Sequence, residues 1–295
     1  MTIKIICDTS ADLNLQNDDT LYEKYDIEWV PMQVIFGTDA FKELTDLKTS
    51  ELHERLNKTD VHPTTSQSTQ ADLLAAYEKF ADKADDIISM HLSAEVSGAV
   101  ANANMAKKMY EKQNPDGAKI HIYDTRKAST PFGLIVLKAA NLIKEGLSVD
   151  QLIPKLDEWR TKDESFYFTV NDLRWLFDGG RLSRAKYVLG SLLSKNPILT
   201  FIDGKIEPVK SASGIDKTMQ TIVEMLIDDL QADPSELTLH FAQASFYNET
   251  KEYASQFEEQ YPGMKIGKIF TMGGAISAHT GPRTIVPIMT KNFEY

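Results

Sequence analysis

The sequence predicts an α/β protein in two domains: residues 1–160 as a parallel sheet with helices on both faces, and residues 161–295 as an α/β unit with a mixed or antiparallel sheet. Three observations predict it. Short apolar runs alternate with helical patterns in the first half, the signature of βαβ units. Period-2 segments and a hairpin signal fill the second half. The 295 residues correspond to two domains at about 150 residues each.

The elements follow in order. IKIIC (3–7) is a short buried strand ending in Asp8-Thr9-Ser10. DIEWVPMQVIF (26–36) is a strand region broken by Pro31. Leu73, Tyr77, Phe80 and Ala84 recur at helical spacing, and Thr69 with Asp72 reads as a capping box at the start of that helix. DIISMHL (86–92) is a strand, followed by a helix with Ser97 as its N-cap. KIHIYDT (119–125) is a strand, and the helix STPFGLIVLKAANLIKE after it stops at Gly146. The polar stretch RTKDES, near residue 160, divides the halves. SFYFTV and LTLHFA alternate, which fits strands with one solvated face. ILTFIDGKIEPV carries Asp203-Gly204 as a hairpin turn. Met219, Ile222, Val223, Leu226 and Leu230 form one helical stripe, packed on the sheet.

Composition narrows the function. Apolar residues are 42% of the chain and charged residues 25%, enough apolar surface to offset chain entropy and exclude wholesale disorder. With 32 basic and 43 acidic residues the net charge is −11, which argues against a nucleic-acid binder. No apolar run reaches the ~20 residues of a membrane span. The N-terminus lacks the basic-then-apolar layout of a signal peptide, and Cys7 is the only cysteine. The expectation is a soluble protein of the reducing cytoplasm.

The polar residues at predicted strand ends and helix starts are mostly hydroxyls: Thr9, Ser10, Thr64 to Ser66, Ser93, Ser97, Thr125, Ser129 and Thr130. Ligands of open α/β sheets sit beyond the carboxyl ends of the strands. Hydroxyls beside helix N-termini there suit a carboxylate or phosphate, although each alone also suits a simple N-cap. Nucleophile elbow, dinucleotide and P-loop motifs are missing. The six histidines form neither HExxH nor a close pair, so no metal is expected. His91 and His121 fall inside strands. His279, in the turn-rich SAHTGPRT, is suited to donating to an anion, to holding the turn, or to donating a proton. Residues 171–220 hold eight basic and five acidic side chains, a local +3 on an acidic chain, which suits an acidic partner or a solvated helix face.

Seven stretches in this order resemble the DegV family of bacterial lipid-binding proteins. They are KIICDTSADL, TSQST (65–69), LSAEVSGAV (92–100), YDTRKAS (123–129), NDLRWLFDGGRLS (171–183), KNPIL with its DG hairpin, and AHTGP (278–282). The resemblance spans nearly the whole chain. It implies a long-chain fatty acid buried between two α/β domains, with no other cofactor and no chemistry by this chain alone. It also implies the role of the fatty-acid-binding subunit of bacterial fatty acid kinase, which presents the acyl carboxylate to an ATP-binding kinase subunit for acyl-phosphate formation. Transient membrane contact is compatible with that role. By match, the carboxylate is held by Thr65, Ser97, His279 and Thr280, with Ser66, Gln67, Gly98 and Asp124 as nearby motif residues. Kinase docking falls on Arg181, Arg184 and Lys186.

The chain departs from the family pattern at Ser68, where a Pro is usual, at Ala99 for Thr, and at Arg283 for a second Gly. Lys210-Ser211-Ala212-Ser213 stands where Lys-x-Arg-Thr is common, which removes one basic docking residue. Arg283 is expected to place a charge near His279. Two alternatives stand beside the carrier: an acyl-ester hydrolase with Ser97 as nucleophile, His279 as base and Asp8 or Asp124 orienting it, and a lipid-responsive regulatory module.

Overall fold

The computed structural model describes residues 2–58, 62–182, 195–291, 293 and 295. The first half runs β1 (Ile3–Asp8), β2 (Ile27–Val30), β3 (Gln33–Phe36), β4 (Asp39–Lys42), α1 (Thr49–Lys58), β5 (Thr64–Ser66), α2 (Gln70–Glu78), β6 (Asp86–His91), α3 (Ala99–Gln113), β7 (Lys119–Asp124), α4 (Ser129–Lys144) and α5 (Val149–Lys162). The second runs β8 (Glu164–Phe166), α6 (Arg174–Asp178), β9 (Asn196–Ile202), β10 (Lys205–Ala212), α7 (Ile215–Leu230), β11 (Leu237–Ala244), α8 (Tyr247–Gln260), β12 (Lys265–Thr271), α9 (Gly274–Thr280) and β13 (Thr284–Lys291).

The first sheet is wholly parallel, in the order β2-β1-β6-β7. Its central strands are covered on both faces, which is why β6 buries all six residues, the polar Asp86, Ser89 and His91 included. Ile6, Ile87 and Ile120 pack with Tyr77, Ala103, Ala106 and Tyr110 on α2 and α3. Their sequence neighbours Ile5, Cys7, Ile88 and Met90 face the other way, into the core that contains Phe132, Leu134 and Ile135 of α4. Helix α2 starts as expected, with Thr69 Oγ1 accepting from Asp72 N at 3.1 Å. It ends at Glu78 rather than reaching Ala84, and the chain continues in tight turns such as Phe80 N to Tyr77 O.

The second sheet has the order β12-β11-β13-β8 and is mixed: β11 is parallel to β12 and antiparallel to β13, and β13 is antiparallel to β8. The expectation of one solvated face is corrected for β11, whose eight residues are all buried. One face carries Leu237, Leu239 and Phe241 against Ile222, Val223 and Leu226 of α7 and Phe257 of α8. The other carries Ala242 and Ala244 into the same core as α4. Alternation of Leu with Thr, His and Ala was therefore a change of partner across the sheet, not a change from core to water. At the predicted hairpin β9 and β10 pair antiparallel, with Asp203 at φ 50° and Gly204 at φ 82°, the doubly left-handed turn that suits strand twist.

A third, antiparallel sheet has the order β4-β3-β5. It belongs to the first half of the chain yet packs on α9 from the far end. Gly274 of α9 allows that approach, because a Cβ there would lie 3.2 Å from Val34 Cγ2 of β3 and 2.7 Å from Leu52 Cδ1 of α1. Among the described residues no helix is long and apolar enough to cross a membrane.

Candidate functional site

A cavity lies where these layers meet, within about 760 Å³ of empty space that is partly open to solvent. Its walls are largely apolar: Phe166, Phe168 and Phe201 with Leu176, Ile206 and Met272 among others. Polar groups enter it from Thr65, Gln67, Ser97, Ser129, Arg181, His279 and Thr280. An apolar chamber with a few convergent polar groups is the usual form of a small-molecule site.

Local structure places each polar group. Thr65 sits on β5, opposite Val34 of β3. His279 is in the last turn of α9, which Gly281 ends at φ 76°. The chain can turn there only as glycine, since a Cβ at Gly281 would also lie 2.5 Å from Trp175 Cδ1. Ser97 precedes α3, whose N-cap is Gly98. This corrects two expectations. Thr65 lies in a strand and not at a helix head, because the turn that starts α2 comes four residues later at Thr69. Ser97 is one residue outside the N-cap position, although its Oγ still accepts from Ala99 N at 3.2 Å.

Thr65 Oγ1 and His279 Nε2 share a hydrogen bond of 2.7 Å. The other ring nitrogen, Nδ1, is buried and has no partner among the described residues. Burial first, and the Arg181 guanidinium second, push the imidazole down to about pKa 4. The ring is therefore neutral at pH 7. Arg181 is half-buried, with Nε donating to Val96 O at 3.4 Å and Nη1 donating to Gly179 O. One proton of the Thr65–His279 pair is used in their mutual bond, so the pair offers a carboxylate one donor, and the Ser97 hydroxyl, whose oxygen accepts from Ala99 N, offers a second.

The remaining predicted residues divide. Thr280 lines the cavity while its Oγ1 donates to Ile276 O at 3.3 Å. Ser66 and Gly98 flank Gln67: Ser66 Oγ donates to Gln67 O at 3.4 Å, and a Cβ on Gly98 would lie 3.1 Å from Gln67 Nε2. Asp124 holds loops, accepting from Arg126 N at 2.8 Å and Ala94 N at 3.4 Å. Arg184 and Lys186 lie outside the described residues. Arg283 does not face His279. Its guanidinium lies over the Phe246 ring, 4.4 Å from the centroid, and 3.7 Å from Glu249 Oε1.

Asp8 is also committed elsewhere. Its Oδ2 meets His91 Nδ1 at 3.0 Å, and His91 Nε2 meets Ser89 Oγ at 2.8 Å, which in turn meets Tyr77 OH at 2.9 Å. The contact order is that of a Ser-His-Asp triad. All three residues are fully buried and none lines the cavity, so the chain of contacts satisfies polar groups inside the sheet.

Sequence reasoning missed the support under α9. Asp12 Oδ1 accepts from Gly273 N at 2.8 Å, and Glu43 Oε1 accepts from Ala275 N at 2.8 Å. Asp12 Oδ2 also accepts from Ser129 Oγ at 2.5 Å, and Glu43 Oε2 from Thr9 Oγ1 at 2.6 Å. Burial raises the pKa of both carboxyls, with Glu43 adding to the rise at Asp12 and Asp8 adding to the rise at Glu43. The acids of CDTSAD and of FKEL were visible, but nothing local indicated that they meet residues 273–275.

A parallel α/β layer and a mixed sheet, enclosing an apolar cavity lined in part by hydroxyls and an imidazole, define an α/β protein built to enclose a small molecule with an apolar body. This chain belongs to the DegV family, whose model, described as that of uncharacterised proteins, matches residues 2–289. Protein DegV of Bacillus subtilis is 32% identical over 286 residues, 95% of this chain and 96% of that protein. The crystal structure of DegV from Bacillus subtilis, described as a fatty acid binding protein, superposes with a TM-score of 0.86 at 29% identity, covering 99% of each chain. A DegV family protein from Thermus thermophilus, described by its fatty acid binding, superposes with a TM-score of 0.85 at 25% identity, covering 99% of this chain and 100% of that one.

Proposed function

We propose that this protein is a carrier for one long-chain fatty acid. The acyl chain lies along Phe166, Phe168 and Phe201, and the carboxylate accepts from Ser97 and from the hydrogen-bonded Thr65–His279 pair. The single observation that carries the reading is the Thr65–His279 pair at the polar end of an otherwise apolar cavity. Burial of the tail is favourable by about 0.8 kcal/mol per CH₂. The fatty-acid-binding relatives from Bacillus subtilis and Thermus thermophilus support it.

The finer role is presentation of the carboxylate to an ATP-binding kinase subunit that forms the acyl-phosphate, with Arg181, Arg184 and Lys186 in the docking face. On this reading the chain is not itself catalytic. Arg181 supports the docking role by its position at the cavity, partly buried beside His279.

The test is direct. Purified protein is denatured, extracted with organic solvent and examined by mass spectrometry. About one equivalent of fatty acid, lost in the Thr65→Ala/Ser97→Ala double variant, is the expected result. Protein that carries none and fails to take up added fatty acid overturns the reading. Recovery of an ATP-binding subunit in a pull-down, lost in Arg181→Glu, tests the presentation role.

A further inference from the structure

A second cleft lies on the opposite side of the C-terminal sheet from the fatty-acid cavity. Strand alternation separates the two: Phe166, Phe168 and Val286 face the first cavity, whereas Thr169 faces the second and Ile285 packs with α7 and α8. The second cleft holds about 530 Å³ of empty space and is lined by Thr169, Asn171, Asn196, Ile215, Phe246 and Arg283, with Val170 at its edge. It opens beyond the carboxyl end of β11, where Arg283 N donates to Ala244 O at 2.7 Å. That is where open α/β sheets bind ligands.

Its polar groups are all suited to an anion. Two helices of sixteen and fourteen residues begin at its rim, α7 at Ile215 and α8 just after Phe246. Neither has a side-chain cap, so their first N–H groups lack that partner at the end of the helix where the dipole is positive. Thr169 is 1% exposed, and its Oγ1 has no hydrogen-bond partner among the described residues. A buried hydroxyl without a partner is unusual and costs stability unless something fills the role. Asn171 and Asn196 add amide donors. Arg283 adds a guanidinium that lies over the Phe246 ring of the cleft wall and 3.7 Å from Glu249, with both charged side chains about half exposed. The other acid of these first turns, Asp216, already accepts from Tyr253 OH at 2.6 Å.

We propose that this cleft is a second ligand site, for a phosphate-class oxyanion, in which Arg283 supplies the charge and Thr169, Asn171 and Asn196 supply neutral donors around it. The site is independent of the fatty-acid reading, because it shares no polar residue with that cavity.

The test is titration of the full chain with inorganic phosphate at constant ionic strength, by calorimetry and thermal unfolding, with chloride as the matched control. Saturable binding with a rise in Tm is expected. Arg283→Gln, at an exposed position, should weaken it at least tenfold. Thr169→Val should weaken it several-fold and should raise Tm in phosphate-free buffer, since it removes the unpaired hydroxyl. His279→Gln should leave phosphate binding unchanged. A small phosphomonoester that binds tighter than phosphate assigns the site to a phosphorylated metabolite, and the reverse order assigns it to free phosphate. The proposal is overturned if chloride reproduces the effect, if Arg283→Gln and Thr169→Val bind phosphate like wild type, if His279→Gln abolishes binding, or if succinate outcompetes phosphate for the site.

Discussion

Thr65 and His279 are 214 positions apart in the chain and in hydrogen-bond contact, Oγ1 to Nε2, at 2.7 Å. A strand from the first half of the chain and a short helix from the end of the second supply one residue each. The polar end of the cavity exists only when β5 and α9 are docked. Site integrity and packing of the two halves are therefore one property, and the following predictions rest on it.

Replacing Thr65 by Val keeps the volume and removes the hydroxyl. His279 Nε2 then loses its partner in a buried place, at a cost of about 1–3 kcal/mol in stability. Fatty-acid retention should fall at least tenfold. Chemical denaturation and lipid extraction of the same preparation check both.

The depressed pKa of His279, about 4, sets a pH dependence. An unfolded His titrates near 6.5, so between those values the unfolded chain binds more protons and stability falls as pH drops from about 6.5 through about 4. A bound carboxylate beside the ring favours the imidazolium and raises that pKa. Fatty-acid binding should therefore take up a fraction of a proton near pH 6, and His279→Gln should abolish the uptake. Calorimetry in two buffers of different ionisation enthalpy measures it.

Asp12 has its pKa raised by burial and by Glu43, so its folded form holds a proton more readily than its unfolded form. With that sign, its contribution is present at low pH and is lost as pH rises through the folded pKa. Asp12→Asn, which keeps a carbonyl for Gly273 N, should leave the fold intact and flatten that part of the pH–stability curve. Asp12→Ala strands Gly273 N–H and the Ser129 hydroxyl and should cost about 2–4 kcal/mol. Thermal melts from pH 5 to 9 distinguish the two.

Lys127 and Glu164 form a buried ion pair between the segment leading into α4 and the start of β8. Lys127→Met leaves the carboxyl uncompensated and should cost about 3–5 kcal/mol. The double change with Glu164→Leu should recover most of it. Denaturation midpoints of the three variants form the cycle.

Ile276 lines the cavity without being fully buried. Ile276→Phe should fill part of the chamber, lower fatty-acid content well below one equivalent, and cost about 1–3 kcal/mol. Unchanged lipid content in a folded variant would place the acyl chain elsewhere.

Much of this was legible locally. The parallel sheet followed from apolar runs between helical patterns, because strands covered on both faces leave no polar alternation. The Asp203-Gly204 turn and the Thr69 cap are set by backbone geometry within four residues, so sequence suffices for them. LTLHFA misled for the converse reason: a Thr or His facing a buried helix layer has the same spacing as one facing water.

By itself the sequence determined the element types, the parallel first sheet, the hydroxyl-rich character of the site and its family. Each depends on short-range spacing or on motif order along the chain. Only the tertiary structure decided that Thr65 stands on a strand, that it pairs with His279, that Asp12 and Glu43 sit beneath α9, and that Arg283 turns toward Phe246. Those contacts join residues tens to hundreds of positions apart. Their distances follow from how three sheets pack, which no local pattern encodes.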